Sequence, residues 1–216
     1  MNFFFIITGV FSALLVAILL YNLSSRFSTK IYQTMMIVPH FLSWVIVAYM
    51  AYALLQPQYG ILNNIRSVFG MEKIDWYSEP GAWPPILIIA AIWKHVGMDC
   101  VVYYASLMGI DSTLFEAAEL DGANKFKIVK HIMIPELLPL ITILTILKIG
   151  SIFRADFGLF YQLPRNIGAL YETTDVIDTY VYRTMRELGD MGLSSAVGLL
   201  QSVVGFVLVI TTIIGI

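Results

Sequence analysis

The 216-residue chain is 58% hydrophobic and only 13% charged, with a net charge of −2. A soluble globular domain carries roughly 25% charged residues, so these few charges cannot cover the surface of a water-soluble fold of this size. The charge balance does not indicate a nucleic-acid partner, and the single cysteine, Cys100, excludes an internal disulfide. We therefore expect the lipid bilayer to be the solvent for much of the chain.

Five stretches are long and apolar enough to cross a bilayer, which takes about 20 residues of helix. In chain order they are residues 3–21, 35–55, 84–110, 135–153 and 195–216. They predict an all-α, polytopic membrane protein. The first stretch lacks the positive n-region and the cleavage site of a signal peptide, so we interpret it as a true membrane helix. Both chain ends fall within apolar runs, and we expect the chain to be truncated at both ends.

Four polar segments separate these spans: residues 22–34, 56–83, 111–134 and 154–194. The first and third segments lie on one side of the membrane and the other two on the opposite side. The first and third segments together hold five basic residues among 37 residues, including Arg26 and Lys30. The second and fourth segments together hold six basic residues among 69 residues. The positive-inside rule therefore predicts that 22–34 and 111–134 are cytoplasmic.

The segment 56–83 contains apolar residues at helical spacing. They are Ile61, Leu62, Ile65, Val68 and Phe69, and Gly70 follows them as a suitable C-cap. This pattern predicts a short helix that lies in the membrane interface.

The segment 111–134 has strong local signals for a compact helix–turn–helix. Thr113 and Glu116 have the spacing of a capping box, which predicts a short helix that ends at Leu120. Gly122 breaks that helix because glycine adopts positive φ without penalty. A second short helix follows, in which the pattern aligns three apolar residues, and Pro135 opens the next spanning helix. The three aligned residues are Phe126, Val129 and Ile132.

These residues resemble the EAA loop of binding-protein-dependent ABC importer permeases. The resemblance rests on Glu116-Ala117-Ala118 with Gly122, Ile132 and Pro135 at the family's spacing, and only Ile134 departs from the commonest form, which has leucine there. Residues 39–44, 92–97, 174–183 and 195–199 also look like the subfamily that imports complex oligosaccharides. The resemblance implies a type I importer permease fold that usually has six spanning helices, with 1–216 as a single transmembrane permease domain.

The resemblance also implies a role for the segment 111–135 as the cytoplasmic loop that couples the permease to an ATPase. The ATPase-coupling residues carried over from the family are Glu116, Ala117, Ala118, Asp121, Gly122, Ile132 and Pro135. The implied partners are a second permease subunit in a heterodimer, two ATPase subunits, an extracytoplasmic solute-binding protein and membrane lipids. The implied location is the bacterial cytoplasmic membrane, and the implied function is import of oligosaccharides, including polysaccharide fragments, by alternating access.

The chain itself has no sign of catalysis. A Walker A loop needs Gly-Lys, and the sequence contains no Gly-Lys dipeptide. We therefore expect the chain not to be an enzyme, to need no cofactor and to hold no metal, with ATP hydrolysis on a separate subunit. Two alternatives stay open: a permease for a smaller solute, and a proton-coupled secondary carrier that uses His95, Asp99 and Lys148 as a relay.

Charged residues inside the predicted spans suggest a substrate pathway, because charge in a bilayer usually faces a partner or a wet cavity. The pathway candidates are Lys94, His95 and Asp99, together with Tyr161 in the aromatic segment 154–194. A structural interpretation is favoured for the charged residues, in which a buried pair positions the helices or a lysine snorkels to the interface. For the aromatic segment we favour an interface belt that docks the binding protein.

Overall fold

The computed structural model describes residues 1–23, 25–189 and 191–214, and in these residues the chain forms helices, turns and loops without a β-strand. The α-helices are α1 (Asn2–Tyr21), α2 (Arg26–Ile37), α3 (Trp44–Leu55), α4 (Ile61–Val68), α5 (Trp83–Met108), α6 (Ser112–Leu120), α7 (Lys125–Ile128), α8 (Ile134–Gly150), α9 (Phe157–Gln162), α10 (Tyr171–Thr174), α11 (Ile177–Leu188) and α12 (Met191–Ile214).

Several of these helices are long and apolar enough to cross a membrane, which confirms the predicted all-α polytopic class. Among the described residues they are Asn2–Tyr21, Pro80–Met108, Lys125–Gly150 and Met191–Ile214, with the interrupted pair Phe27–Phe41 and Trp44–Leu55 as a candidate fifth span. The described residues do not include Ser24, Asp190 or the last two residues of the predicted span 195–216. The side chain of Arg26, one of the basic residues of the segment 22–34, is not described either.

The predicted span 35–55 is wrong as a single helix. Helix α2 already occupies most of the polar segment 22–34, and a 3₁₀ turn over Val38–Phe41 follows it. A separate helix, α3, then begins after Ser43, whose side chain caps its first turn. Pro39 accounts for the break, because proline has no backbone N–H and its ring clashes with the preceding turn of a helix.

The predicted start of a spanning helix at Pro135 is also wrong. The helix begins at Lys125 and runs without interruption through a wide π-helical turn, Val129–Met133, into α8. In that turn the Ile134 N–H donates to the Val129 carbonyl, five residues back. Such turns occur where the regular hydrogen-bond ladder is distorted, and here the turn comes directly before a proline that cannot continue the ladder.

The short helix predicted in the segment 56–83 is confirmed as α4. Gly70 follows its end with φ of +71°, and the Met71 N–H donates to the Arg66 carbonyl at 2.9 Å. Glycine accepts this left-handed conformation without the Cβ strain of other residues.

The chain packs into two compact units. The first unit comprises Met1–Phe4, Leu42–Ala91 and Ile149–Ile216, and the second comprises Phe5–Phe41 and Ile92–Lys148. In the second unit, side chains from α1, α5, α7, the π-helical turn and α8 form one buried cluster. Its members are Ala13, Ala17, Leu20, Cys100, Tyr103, Leu107, Ile128, Met133 and Leu137.

The first unit depends on two close approaches of helix backbone. Gly158 of α9 lies directly against the Trp44 ring, and the Trp44 Nε1–H donates to the Asp156 carboxylate at 2.9 Å. Gly205 of α12 lies against the Gly150 carbonyl at the end of α8. Small residues at such points let membrane helices pack closely.

Candidate functional site

The segment 111–135 opens with an N-cap that differs from the predicted one. The Asp111 side chain accepts a hydrogen bond from the Thr113 N–H at 2.9 Å. Hydrogen bonds from the backbone and side chain of Thr113 hold the pKa of Asp111 below its ordinary value. The predicted capping box of Thr113 and Glu116 is therefore wrong, because Asp111 takes the capping position and Thr113 lies inside α6.

The end of α6 is the rigid turn that the sequence predicts at Gly122. Gly122 has φ of +75°, and its N–H donates to the Glu119 carbonyl at 3.0 Å. The next N–H, of Ala123, donates to the Ala118 carbonyl at 2.9 Å. This pair of bonds is a Schellman motif, so the last carbonyls of α6 are satisfied and the direction of the turn is fixed.

A second cap restarts the helix immediately after this turn. The Asn124 side chain accepts a hydrogen bond from the Lys127 N–H at 2.9 Å. Ile128 and Met133 then enter the buried cluster of the second unit. The segment is therefore held at its start by α5 and at its end by α8, with capped turns between them.

The predicted coupling positions divide between an outer and an inner face. Ala118 and Ile132 are half-buried and pack against the buried cluster of the second unit. The exposed positions are Glu116, Ala117, Asp121, Gly122 and Pro135. The outer face of the segment therefore carries acidic and small residues, and its inner face packs against the buried cluster of the second unit.

Two exposed apolar side chains on this surface are not apparent from the sequence pattern. Leu120 is 89% exposed and Phe126 is 74% exposed, one on each side of Gly122. The apolar pattern aligns Phe126 with Val129 and Ile132, yet only the latter two turn toward the core. The Asn124 cap is the signal that could have separated them, because it places Phe126 in the first, outward-facing turn of the new helix.

Lys94 is buried rather than open to a cavity. It is only 6% exposed, and its Nζ donates to the His40 carbonyl at 2.9 Å and to the Pro39 carbonyl at 3.4 Å. Both carbonyls belong to the 3₁₀ turn before the break, where helical partners are lacking. This geometry favours the interpretation that Lys94 positions the helices.

Asp99 and Lys148 form an ion pair within the second unit. The Lys148 Nζ lies 2.8 Å from the Asp99 Oδ2, and each side chain is about one-third exposed. His95, one turn before Asp99, places its ring 5.5 Å from the ring of His40. Sequence spacing puts His95 and Asp99 on one helix face, but it does not reveal Lys148, which is 49 residues away in the chain.

Tyr161, the fourth pathway candidate, lies in an aromatic cluster of the first unit. Its ring stacks on Phe157 with centroids 4.9 Å apart and meets the Tyr182 ring edge-on at 5.2 Å. Arg183, which no sequence pattern singles out, pairs nearby in the chain with Asp175 at 2.5 Å. In the described parts of the chain, no three His, Cys, Asp or Glu side chains group as a metal ion would require.

Comparison with protein families gives one match that covers almost the whole chain. Residues 5–215 match the model of a family described as binding-protein-dependent transport system inner membrane component.

Individual proteins and structures are similar to the chain over most of its length. The polygalacturonan/rhamnogalacturonan transport system permease protein YteP of Bacillus subtilis (strain 168) is 34% identical over 91% of this chain and 60% of its own length. Protein LplB of the same organism is 32% identical over 91% of this chain and 61% of its own length. The chain therefore spans about 60% of the length of these curated relatives.

A solved structure extends the similarity to the fold. It is described as a bacterial alginate ABC transporter in complex with alginate pentasaccharide-bound periplasmic protein. It matches with a TM-score of 0.91 and 32% identity, over 98% of this chain and 73% of the matched chain.

Proposed function

Because the chain belongs to the family of binding-protein-dependent transport system inner membrane components, we propose that it is the membrane-spanning permease subunit of an ATP-driven oligosaccharide importer. The observation that carries this proposal is the segment 111–135, a capped and well-packed turn that joins two spanning helices and exposes Glu116, Ala117 and Gly122. In this function the segment is the coupling loop of a single transmembrane permease domain, and the chain itself performs no chemistry.

The proposed assembly has several further subunits. A second permease completes a heterodimer, two ATPase subunits hydrolyse ATP, and an extracytoplasmic solute-binding protein delivers the sugar. The similar alginate transporter was solved with a periplasmic protein bound, which supports the last of these partners. The proposed location is the bacterial cytoplasmic membrane, with the segments 22–34 and 111–134 on the cytoplasmic side.

The packing of the coupling loop supports a mechanical role. Its outer face carries the exposed apolar side chains of Leu120 and Phe126, which suit a contact with another protein. Its inner face, through Ala118 and Ile132, packs on the cluster built from α1, α5 and α8. A displacement of the outer face by a bound protein is therefore transmitted to the spanning helices. Alternation between two packings of these helices requires such a connection.

An oligosaccharide substrate is supported by the named relatives, one a permease for polygalacturonan and rhamnogalacturonan and the other part of an alginate transporter. Within this function we assign Asp99 and Lys148 to the substrate pathway, because both are partly exposed while paired inside spanning helices. His95 and Tyr161 remain pathway candidates. Lys94 instead holds the turn at Pro39 and acts on the pathway through helix position.

Reconstitution tests the importer function directly. The chain, purified by a tag with the subunits that accompany it, is placed in proteoliposomes with a binding protein and a labelled short oligogalacturonide. We expect uptake that requires ATP and is abolished by an ATPase inhibitor, with no loss when a protonophore collapses the proton gradient. Uptake that the protonophore abolishes and that persists without ATP contradicts this function and supports the proton-coupled carrier. Labelled monomeric galacturonate, tested in place of the oligogalacturonide, separates the oligosaccharide assignment from a permease for a smaller solute.

A double-mutant cycle tests the pathway role of the ion pair. Asp99→Asn and Lys148→Met each remove one charge of the pair. Each is expected to cost about 1–2 kcal/mol of stability, less than breaking a fully buried pair, because both groups are partly exposed. The double variant should recover the thermal unfolding temperature, because neither charge remains. Its uptake should stay low, because the polar lining is gone. Full recovery of uptake in the double variant would show that the pair only positions the helices.

A further inference from the structure

Helix α4 exposes most of its apolar side chains. One of its polar residues, Asn63, is completely buried, whereas Val68 is 83% exposed and Phe69 is 73% exposed. Ile61 and Ile65, on the same side, are also exposed. The apolar stripe Ile61–Ile65–Val68–Phe69 therefore faces away from the protein.

The orientation of α4 is fixed by Asn63. Its Nδ2 donates to the Pro57 carbonyl at 3.0 Å and to the Ile74 carbonyl at 2.7 Å, and its Oδ1 accepts from the Ile74 N–H at 3.1 Å. A roll of the helix that turned the apolar stripe inward would break all three bonds and leave a buried amide unsatisfied, which is costly. The hydrogen bonds of Asn63 therefore hold the apolar stripe in its outward orientation.

The position of α4 in the chain places this stripe at the membrane boundary. The helix lies between the end of α3 and the start of the span Pro80–Met108. It begins directly at the end of α3, since a Cβ on Gly60 would come within 2.8 Å of the Leu54 carbonyl. Met50 and Leu54 on the last turns of α3 are exposed as well, so α4 and the end of the candidate span that precedes it both carry exposed apolar side chains.

We propose that the stripe Ile61–Ile65–Val68–Phe69 lies among the acyl chains at the bilayer interface, with the lipid as its occupant. Two cations close to the stripe in the chain fit this placement. They are Arg66 and Lys73, whose side chains donate to the carbonyls of Glu72 and Gln58 respectively, and basic residues of this kind commonly accompany the apolar face of an interfacial helix. The stripe itself offers no polar group with which a protein partner could make a specific hydrogen bond.

Spin labels on neighbouring residues of α4 test this placement. A spin label at Val68→Cys reports the environment of the stripe. A label at Ser67→Cys, which is exposed on the polar side of the same helix, is the matched control. Cys100 is fully buried, so we expect it not to react with the label, and the wild-type chain serves as the unlabelled control. The tagged chain, with the subunits that accompany it, is reconstituted in phosphatidylethanolamine and phosphatidylglycerol vesicles. Collision rates with oxygen and with a water-soluble nickel chelate are then measured.

We expect the ratio of oxygen to nickel collisions to be severalfold higher at Val68 than at Ser67, because oxygen concentrates in the hydrocarbon and the chelate stays in water. Equal ratios at the two positions would place the stripe in water and overturn the proposal. A Val68 label that is immobilised and inaccessible to both reagents would also overturn it, since another protein would then cover the stripe. This outcome is independent of the transported solute.

Discussion

Replacing Glu116 by lysine is expected to abolish ATP-dependent uptake while the chain still inserts into the membrane. Glu116 is exposed on the outer face of the segment 111–135, so the change does not disturb the core. A reversed charge at a protein contact costs several kcal/mol, which weakens ATPase association by about a hundredfold or more. Co-purification of the ATPase with the tagged chain measures the association, and sugar uptake measures the consequence.

The matched control is Glu187→Lys, the same charge reversal at an exposed position of α11. ATPase co-purification should be unchanged there. If Glu116→Lys retained both the ATPase and full uptake, the coupling assignment of the segment would be lost. A cysteine label at position 116 that reacted only with reagents added from outside the cell would contradict the assignment as well.

A backbone variant tests the same segment without changing its charge. Gly122→Pro forces φ from +75° to about −65° and removes the N–H that bonds the Glu119 carbonyl. Gly70→Pro breaks an equivalent turn after α4, where Gly70 has φ of +71° and donates to the Ser67 carbonyl at 3.1 Å. We expect only the Gly122 variant to lose its association with the ATPase, as measured by co-purification.

Gly97→Ala is the single-methyl change with the largest expected effect on folding. Gly97 of α5 lies directly against the Met36 carbonyl of α2, and an added Cβ would come within 2.8 Å of the Ile37 nitrogen. These are backbone atoms, which cannot rotate away as a side chain can, so the helices must separate. Overpacking of this kind costs about 1–3 kcal/mol, and displacement of α5 would also disturb the bonds from Lys94 to the turn at Pro39.

The measurement is the thermal unfolding temperature of the purified chain in detergent, together with its uptake after reconstitution. Gly198→Ala is the control, because Gly198 also lies within a spanning helix but has open space where its Cβ would be. The control should lose neither stability nor uptake. An unfolding temperature for Gly97→Ala equal to that of the control would show that α2 and α5 do not approach as closely as the structure has them.

Local signals in the sequence predicted a large part of this structure. An uninterrupted apolar run defines α1, apolar residues at helical spacing define α4, and Gly122 ends α6 as expected. These features depend on residues within a few positions of one another, so a single sequence contains them in full. The family resemblance rested on the same local spacing, and family membership is confirmed by the match over residues 5–215.

Other features depended on competition between nearby signals, and there the predictions were wrong. Hydropathy favoured one helix over 35–55, but Pro39 interrupts it. Proline was expected to start a helix at Pro135, but the helix that begins at Lys125 passes through it by widening one turn. Thr113 has capping chemistry, yet Asp111 takes the cap. In each case two plausible local rules applied, and the sequence pattern does not show which of the two prevails.

By itself, then, the sequence determined that the chain is a membrane protein, where most of its spanning helices lie and that a rigid turn forms at Gly122, because these features follow from composition and short-range spacing. Only the tertiary structure decided that Lys94 bonds the carbonyls of Pro39 and His40, that Asp99 meets Lys148, and that α4 turns Asn63 inward. The contacts of Lys94 and Asp99 join residues far apart in the chain, and those of Asn63 join α4 to the loops on either side of it. All of them depend on how these segments pack. No periodicity within one helix can specify the partner that another helix brings to it.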